Sequence, residues 1–229
     1  MTKRPVFKPT LKGDDLVETI NVEFTWYPGF SKSQKQKCIR SLHEEAGKAN
    51  NLKDILEIST KSQKKVGVSA SAFNIEITRK NGLCASVESF YQGSKVFKNG
   101  DGPFDDLYLK SSLDAKTDQR LRCKGQPRGD LKGFRFQQEE WEIDEHFYDW
   151  LYLNALIQNE EIAEEIIKYG AFTDIEFNPE KSFNCQAYAA ALFKAATIRG
   201  MDLSETKIPS KFKELFPKEK LIDSQQDLF

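Results

Sequence analysis

Short runs of alternating apolar and polar side chains predict β-strands in the first part of the chain. Within residues 21–30, three apolar side chains alternate with polar neighbours before a Pro-Gly pair, which predicts a strand that ends in a turn. Residues 55–60 (ILEIST) predict a second strand. Residues 66–78 predict a loop followed by a strand that turns at Asn81 and Gly82 into a partner strand, so a β-hairpin is expected there.

In longer segments, the apolar side chains recur at the spacing of an α-helix. Ser31 or Ser33 can cap a helix that runs to about Ala49 with its apolar side chains on one face. Residues 146–168 carry an apolar stripe that predicts one packed helix. Residues 184–199 predict an alanine-rich helix whose small side chains suit close packing.

The length and composition suit one folded domain. The chain has 229 residues, of which 39% are hydrophobic, and this is enough for a single core. Residues 99–135 are rich in Gly, Asp, Lys and Pro and are predicted to be mostly loop, with a short helix near 111–121. We expect an α+β fold, with one compact, mainly helical domain and a small β-sheet or hairpin over residues 1–201. Residues 202–229 are expected to be a charged C-terminal tail that frays.

The chain lacks the sequence features of a membrane, secreted or metal-binding protein. It contains no apolar run of membrane-spanning length, and its basic N-terminus has no apolar segment behind it, so we expect a cytoplasmic protein. Only two histidines accompany four scattered cysteines, and no C-x-x-C pair occurs, so no metal and no cofactor are expected. The cysteines, which are expected to be reduced, are Cys38, Cys84, Cys123 and Cys185.

The charges are unevenly distributed although the net charge is only −1. Residues 116–135 contain seven Lys or Arg and two Asp, whereas residues 136–167 contain ten Asp or Glu and neither Lys nor Arg. The basic stretch is suited to phosphates, and the acidic stretch to a basic partner protein. Two ordinary solvated surfaces would produce the same pattern.

The segment 87–97 (VESFYQGSKVF) has helical period and carries three polar groups on one predicted face. Glu88, Gln92 and Lys95 fall at positions i, i+4 and i+7, a spacing suited to gripping opposite ends of a small ligand. A solvent-facing stripe is the common alternative, since most helices have one. Gly93 in mid-helix weakens that alternative, because glycine there costs about 1 kcal/mol.

A second polar cluster leads into the alanine-rich helix. Asp174 follows an apolar segment, and Ser182 or Asn184 can cap the helix and leave its N-terminal N–H groups for a pyrophosphate. The alternative is an ordinary helix cap that binds nothing.

Taken together, these segments resemble the signature of the NADAR family. That family combines an early L-S-N-F-like stretch, a helix with E-x-x-x-Q-x-x-K, and a later Asp and Asn before the last helix. The matching residues here, in the same order, are Ala72, Phe73, Asn74, Glu88, Gln92, Lys95, Asp174 and Asn184. The phrases KSQKQK, SAFN, FYQGSK, FYDWLYLNAL and FTDIEFNPEKS are similar to those of the branch encoded beside DarT-type toxins, from about Lys3 to Gly200.

The chain departs from the broader family close to the second cluster. Ile175-Glu176-Phe177 replaces the Trp-Gly that follows the Asp, and Ser182 replaces the Gly that precedes the Asn. Gln186-Ala187 replaces the Leu-Gly after the Asn. These changes concern substrate preference more than the class of reaction.

The resemblance implies an ADP-ribosylglycohydrolase that removes ADP-ribose from guanine bases in DNA and acts as antitoxin to a DarT-like ADP-ribosyltransferase. Glu88 would orient water or stabilise an oxocarbenium ion. Lys95 would stabilise charge, act as an acid, or trap an opened ribose as a Schiff base, and the sequence leaves these roles open. Free ADP-ribosyl-guanosine is a further possible substrate, and the toxin itself a possible partner.

The remaining expected contacts are with the substrate. Gln92 and Asp174 would hold ribose hydroxyls, residues 182–184 the pyrophosphate, and Phe73 or Trp141 would stack on a base. The basic stretch would hold DNA phosphates through Arg120, Arg122 and Lys124. Two alternative functions remain: a non-catalytic antitoxin that binds ADP-ribosylated DNA or the toxin, and an N-glycosidase of the riboflavin-pathway type.

Overall fold

The structure is a computed structural model that describes residues 2–121, 131–143, 146–179 and 184–217. The strands are β1 Thr2–Pro9, β2 Val17–Phe24, β3 Ile55–Glu57, β4 Glu76–Thr78, β5 Cys84–Ser86, β6 Lys95–Phe97, β7 Leu131–Phe136, β8 Glu139–Glu142 and β9 Ala171–Thr173. The helices are α1 Lys32–Asn50, α2 Lys65–Ser69, α3 Val87–Gly93, α4 Ser112–Thr117, α5 Phe147–Gln158, α6 Glu160–Ile166, α7 Gln186–Ile198 and α8 Pro209–Leu215. Two short 3-10 helices span Asp105–Leu109 and Gln119–Leu121.

In the part of the chain that the structure describes, three small sheets are arranged around the helices. The first has the strand order β2-β1-β9-β3, in which β3 and β9 are parallel and the other pairs are antiparallel. β4 and β5 form a separate hairpin, and β6, β7 and β8 form an antiparallel sheet. The expected α+β domain is confirmed, with more strands than the predicted hairpin.

The main core surrounds α5 and α7. Ten consecutive residues of α5, from Phe147 to Leu156, are buried, and the alanines of α7 allow neighbouring elements to approach closely. A second apolar cluster lies between the first sheet and α1. Since hydrophobic burial is the main stabilising force of a fold, α5 and α7 form its central support. Within the described residues, no helix has the length and apolar character needed to cross a membrane.

Several elements agree with the local sequence pattern. The side chain of Ser31 accepts a hydrogen bond from the backbone N–H of Gln34, so Ser31 caps α1 as predicted. The predicted hairpin is also present, with Glu76 opposite Ser86. The loop predicted from residue 66 instead contains α2.

The helix predicted over residues 87–97 ends early, at Gly93. The Gly93 carbonyl accepts a hydrogen bond from the N–H of Phe104 at 2.6 Å. A Cβ on residue 93 would lie only 2.5 Å from the Tyr108 ring, which leaves no room for a side chain. The chain then continues as β6, in which Lys95 pairs with Phe134 of β7. Lys95 therefore lies on a strand and does not share a helical face with Glu88.

Two other predicted elements differ from the structure. The helix predicted over residues 146–168 is interrupted at Asn159, whose side chain donates to the carbonyls of Glu76 and Ala155. The tail predicted from residue 202 contains α8, whose Phe212 is fully buried in the main core. A long-range contact decides the structure in both cases, and such contacts are not visible in local spacing.

Candidate functional site

A cleft of about 530 Å³ lies between α3, the start of β6, β7 and the segment that precedes α7. This volume falls within the range of about 300–1,000 Å³ that is usual for small-molecule sites. The side chains that line it include Ser71, Ala72, Phe73, Glu88, Tyr91, Gln92, Lys95, Lys116, Phe134, Tyr148, Asp174, Glu176, Asn184 and Gln186.

Six residues that the sequence analysis singled out meet in this cleft. They come from five separate parts of the fold and are Phe73, Glu88, Gln92, Lys95, Asp174 and Asn184. The structure brings these positions together although they are spread over more than a hundred residues of sequence.

Glu88 lies at the wall of the cleft in the first turn of α3. Only 5% of its surface is exposed, and its Oε1 accepts a hydrogen bond from Nε2 of Gln92 at 2.8 Å. The same oxygen lies 3.5 Å from Nζ of Lys116 in α4. The carboxylate is thus held in one orientation, with the Lys116 ammonium beside it.

Two lysines reach the cleft beside aromatic rings. Nζ of Lys116 lies 4.8 Å from the ring centre of Phe73, and Nζ of Lys95 lies 4.9 Å from the ring centre of Tyr91. Both separations suit a cation–π interaction. The cleft therefore offers two cations, which can face the negative charges of a phosphorylated ligand.

Asp174 lies directly after β9 and is 9% exposed. One carboxylate oxygen accepts hydrogen bonds from the N–H groups of Glu176 and Phe177, and the other accepts one from Nε2 of Gln186 at 2.9 Å. Oε1 of Gln186 accepts in turn from the N–H of Ala72. Burial is the largest effect on this carboxyl and raises its pKa above the ordinary value.

A second buried carboxyl lies behind Asp174. Glu57 is 2% exposed and accepts hydrogen bonds from the hydroxyls of Ser59 and Thr173 and from the N–H of Ile175. Burial, and then the nearby charge of Asp174, raise the pKa of Glu57 well above its ordinary value. This carboxyl thus holds the residues on both sides of Asp174, through the Thr173 hydroxyl and the Ile175 N–H.

The hydrogen bonds continue from Glu57 to α1. The Thr173 hydroxyl that donates to Glu57 also lies 2.8 Å from Nε2 of His43. Burial, with a further contribution from the charge of Lys64, lowers the pKa of His43 to about 4. A neutral His43 thus links α1 to the base of the cleft.

Tyr91 and Asn184, which also line the cleft, form a neutral hydrogen-bonded pair. Nδ2 of Asn184 donates to the Tyr91 hydroxyl oxygen at 2.6 Å. Burial raises the pKa of Tyr91, so its hydroxyl keeps its proton and can donate to a ligand. Asn184 does not cap α7 as expected, because α7 begins at Gln186 and Cys185 occupies the N-cap position.

Two other candidates, Trp141 and Asn74, lie outside the cleft. The Trp141 ring is 3% exposed and packs in the core against Phe147 and Trp150, so it does not face the cleft. The exposed Asn74 donates its side-chain amide to the Val68 carbonyl. Neither of them is placed to contact a ligand in the cleft.

The expected DNA-binding residues are only partly described. The Arg120 guanidinium makes two hydrogen bonds to Asp106 and further ones to Asp118, so two carboxylates already neutralise it. Arg122 and Lys124, like Ser182 of the expected pyrophosphate site, lie outside the described residues.

Sequence reasoning missed the roles of Lys116, Tyr91 and Gln186 in the cleft. In the sequence, Lys116 is only one residue of a basic stretch, and nothing in local spacing pairs it with Glu88. Gln186 stands out there only as a departure from the family pattern. Such an unusual polar residue beside a motif position is a signal that would have identified it.

The cysteines and acidic residues form no metal site within the described ranges. Among those residues, no group of three or more His, Cys, Asp or Glu side chains is arranged to hold an ion. Burial raises the pKa of the Cys185 thiol well above its ordinary value, which keeps this thiol protonated.

Comparison with known proteins identifies one related family. The family model described as DarT1-associated NADAR antitoxin matches residues 2–226. No curated protein sequence matches the chain significantly.

Proposed function

Since this chain belongs to the family of DarT1-associated NADAR antitoxins, we propose that it hydrolyses the N-glycosidic bond between ADP-ribose and guanine in DNA. The family supports an antitoxin role and a DarT-like toxin as the functional partner. In this proposal, the protein acts on the product of the toxin and restores the unmodified base.

The observation that carries the proposal is the setting of Glu88. Its carboxylate lies at the wall of a cleft of ligand size, and Gln92 and Lys116 hold it in one orientation. A solvent-facing stripe would leave Glu88 and Gln92 exposed, whereas their exposed fractions are 5% and 7%. Burying a carboxylate costs free energy, so a buried carboxylate in a cleft indicates a site that uses its charge.

A carboxylate in this position suits glycosidic cleavage. When the bond between the ribose C1 and guanine breaks, positive charge develops on C1 and the ring oxygen. Glu88 stabilises this charge and orients a water molecule for attack on C1, and the bonding electrons leave with the guanine nitrogen. A proton supplied to guanine then completes the restored base.

Lys95 supplies either that proton, a stabilising charge, or a nucleophilic amine. As a nucleophile, the neutral amine would form a bond to the ribose C1 while the bond from C1 to guanine breaks and guanine leaves with a proton. The adduct would open to an imine, which water hydrolyses to ADP-ribose and the free lysine. Borohydride added during turnover would reduce this imine to a stable amine. A mass increase on the peptide that contains Lys95 would show that Lys95 acts as the nucleophile. An unmodified peptide would leave the roles of proton donor and stabilising charge.

The rest of the cleft suits the remainder of ADP-ribose. Asp174 and Gln92 can accept or donate hydrogen bonds to ribose hydroxyls, and the half-buried Phe73 can stack on a base. The protonated hydroxyl of Tyr91 and the Lys116 ammonium are donors for phosphate oxygens. Ser182 would add to the pyrophosphate site and stays a prediction.

The proposal is tested with a DNA oligonucleotide that carries ADP-ribose on one guanine. Purified protein should release free ADP-ribose and leave unmodified guanine, both measured by mass spectrometry. Free ADP-ribosyl-guanosine tests whether the base alone is sufficient. Tight binding of the modified oligonucleotide without release of ADP-ribose would contradict the proposal and favour a non-catalytic antitoxin.

A further inference from the structure

A basic surface that shares no residue with the stretch 116–135 lies at one edge of the cleft. Residues 25–43 and 58–75 contain neither Asp nor Glu. The cations that they contribute, together called the α1 basic surface, are Lys32, Lys35, Lys37, Arg40, Lys61, Lys64 and Lys65. This local excess of positive charge attracts polyanions although the net charge of the whole chain is −1.

Side-chain contacts join the two segments into one surface. Nε2 of Gln36 in α1 donates to the carbonyl of Lys61 at 3.3 Å. Farther along α1, His43 is close enough to Lys64 for the lysine charge to lower its pKa. The first three turns of α1 therefore lie beside the loop that leads into α2.

The α1 basic surface reaches the edge of the cleft. Nζ of Lys61 lies 3.9 Å from Oε1 of Glu176, and the Thr60 hydroxyl donates to Oε2 of the same residue at 3.4 Å. Glu176 lines the cleft. A nucleic-acid strand that has one nucleotide bound in the cleft can therefore continue over the α1 basic surface.

Most of these cations are available to phosphates. Lys32, Lys37, Arg40 and Lys65 are exposed, and within the described ranges none of them has a carboxylate at ion-pair distance. Arg120 differs, because Asp106 and Asp118 already neutralise it. A phosphate that binds Arg120 would have to displace these carboxylates.

Aromatic rings accompany the cations. Phe30 is 98% exposed and Tyr27 is 38% exposed, beside the start of α1. The ring centre of Trp26 lies 5.5 Å from the guanidinium of Arg4 and 4.7 Å from the ammonium of Lys35. Exposed rings among cations are typical of surfaces that bind single-stranded nucleic acid, because bases stack on the rings while phosphates contact the charges.

We propose that the α1 basic surface binds the single-stranded DNA that flanks the modified guanine. The proposal rests on the proposed function for its choice of DNA. A single strand is favoured over a duplex because Phe30 and Tyr27 can stack only on bases that are unpaired and accessible. The cleft would thus recognise the modified nucleotide, and the surface would supply affinity for the neighbouring strand.

The first experiment measures binding of an unmodified single-stranded oligonucleotide of about 12 nucleotides, a length within the site sizes of such surfaces. The variant combines Lys32→Ser, Lys37→Ser and Lys65→Ser. The matched control combines Lys12→Ser, Lys53→Ser and Lys207→Ser, which removes the same charge from other exposed positions. Fluorescence anisotropy over a range of salt concentrations gives the affinity and its salt dependence.

The variant should bind about 10- to 100-fold more weakly near 0.1 M salt, and its slope of log affinity against log salt should fall by about 2, since each contact contributes about 0.7. The control should retain the wild-type slope. Phe30→Ala should weaken binding on the order of 10-fold without changing the salt slope. Phe30→Trp should preserve the affinity, because tryptophan can also stack on a base.

The second experiment separates this proposal from the proposed function. The Lys32, Lys37 and Lys65 variant should lose activity on the modified oligonucleotide but retain it on free ADP-ribosyl-guanosine. If this variant kept the wild-type affinity for the oligonucleotide and the wild-type salt slope, the proposal that the α1 basic surface binds DNA would be wrong. It would also be wrong if the variant lost affinity only for the toxin. Strand binding by a wild-type protein that releases no ADP-ribose would support the surface and contradict the proposed function.

Discussion

At the scale of single residues, Glu88 is the most direct test of the proposed chemistry. Glu88→Gln keeps the size of the side chain and removes its charge, so activity should fall on the order of 100- to 10,000-fold while the fold persists. Release of ADP-ribose measures the activity, and thermal unfolding checks the fold. Glu161→Gln, the same change at an exposed site, is the control. Wild-type turnover by Glu88→Gln would exclude a catalytic carboxylate at this position.

His43 makes the stability of the protein depend on pH. Its folded pKa of about 4 lies below its ordinary value of 6.5, so the unfolded chain binds the proton more readily. The resulting stability is present above pH 6.5 and is lost as pH falls towards 4. His43→Gln cannot bind this proton, so between pH 7 and 5 the wild type should lose on the order of 1–2 kcal/mol more than the variant.

Urea unfolding at each pH measures the free energy of unfolding for both proteins. A constant difference between wild type and His43→Gln from pH 7 to pH 5 would show that His43 is accessible and titrates normally. The carboxyls of Glu57 and Asp174 are present in both proteins, so their own titration largely cancels in this difference.

At the scale of elements, the end of α3 determines where Lys95 lies. A Cβ at residue 93 would lie 2.5 Å from the Tyr108 ring and 2.9 Å from the Phe104 carbonyl oxygen. Gly93→Ala should therefore destabilise the protein by about 1–3 kcal/mol, as overpacking usually does, although alanine favours a helix. Because β6 follows this turn directly, activity should fall as well.

Gly47→Ala in α1 is the matched control. A Cβ there meets its nearest neighbour, the Leu52 carbonyl oxygen, at an ordinary distance of 3.5 Å. This substitution should be neutral or stabilising, by up to about 1 kcal/mol. Denaturant unfolding measures the stability of both variants. If Gly93→Ala were as stable as Gly47→Ala, the close approach of Tyr108 would not explain the glycine at residue 93.

At the scale of the whole molecule, the folded domain extends past residue 201. Phe212 is fully buried and Phe216 is 2% exposed, and Nε1 of Trp150 donates to the Thr206 carbonyl at 2.7 Å. A chain that ends at Met201 should therefore be strongly destabilised, and Phe212→Ala alone should cost about 3–5 kcal/mol. Thermal unfolding of the full chain and of the chain that ends at Met201 measures the difference. Equal stability of these two proteins would restore the boundary expected from composition.

Local sequence was sufficient for elements that short-range spacing defines. The Ser31 cap and the one-sided apolar positions of α1 are readable because they repeat at helical distance. The order of motif residues also identified the family, since that order does not depend on their positions in space. The chain therefore revealed the α+β class and six of the side chains that line the cleft.

Contacts between distant segments determined the rest. Lys116 pairs with Glu88, and Gln186 bonds Asp174, because packing around α5 and α7 brings these elements together. The same packing buries Trp141 in the core, although the contacts expected from the family resemblance included stacking of this ring on a base. The position of a side chain in space depends on all the elements that pack around it, whereas periodicity records only its neighbours along the chain.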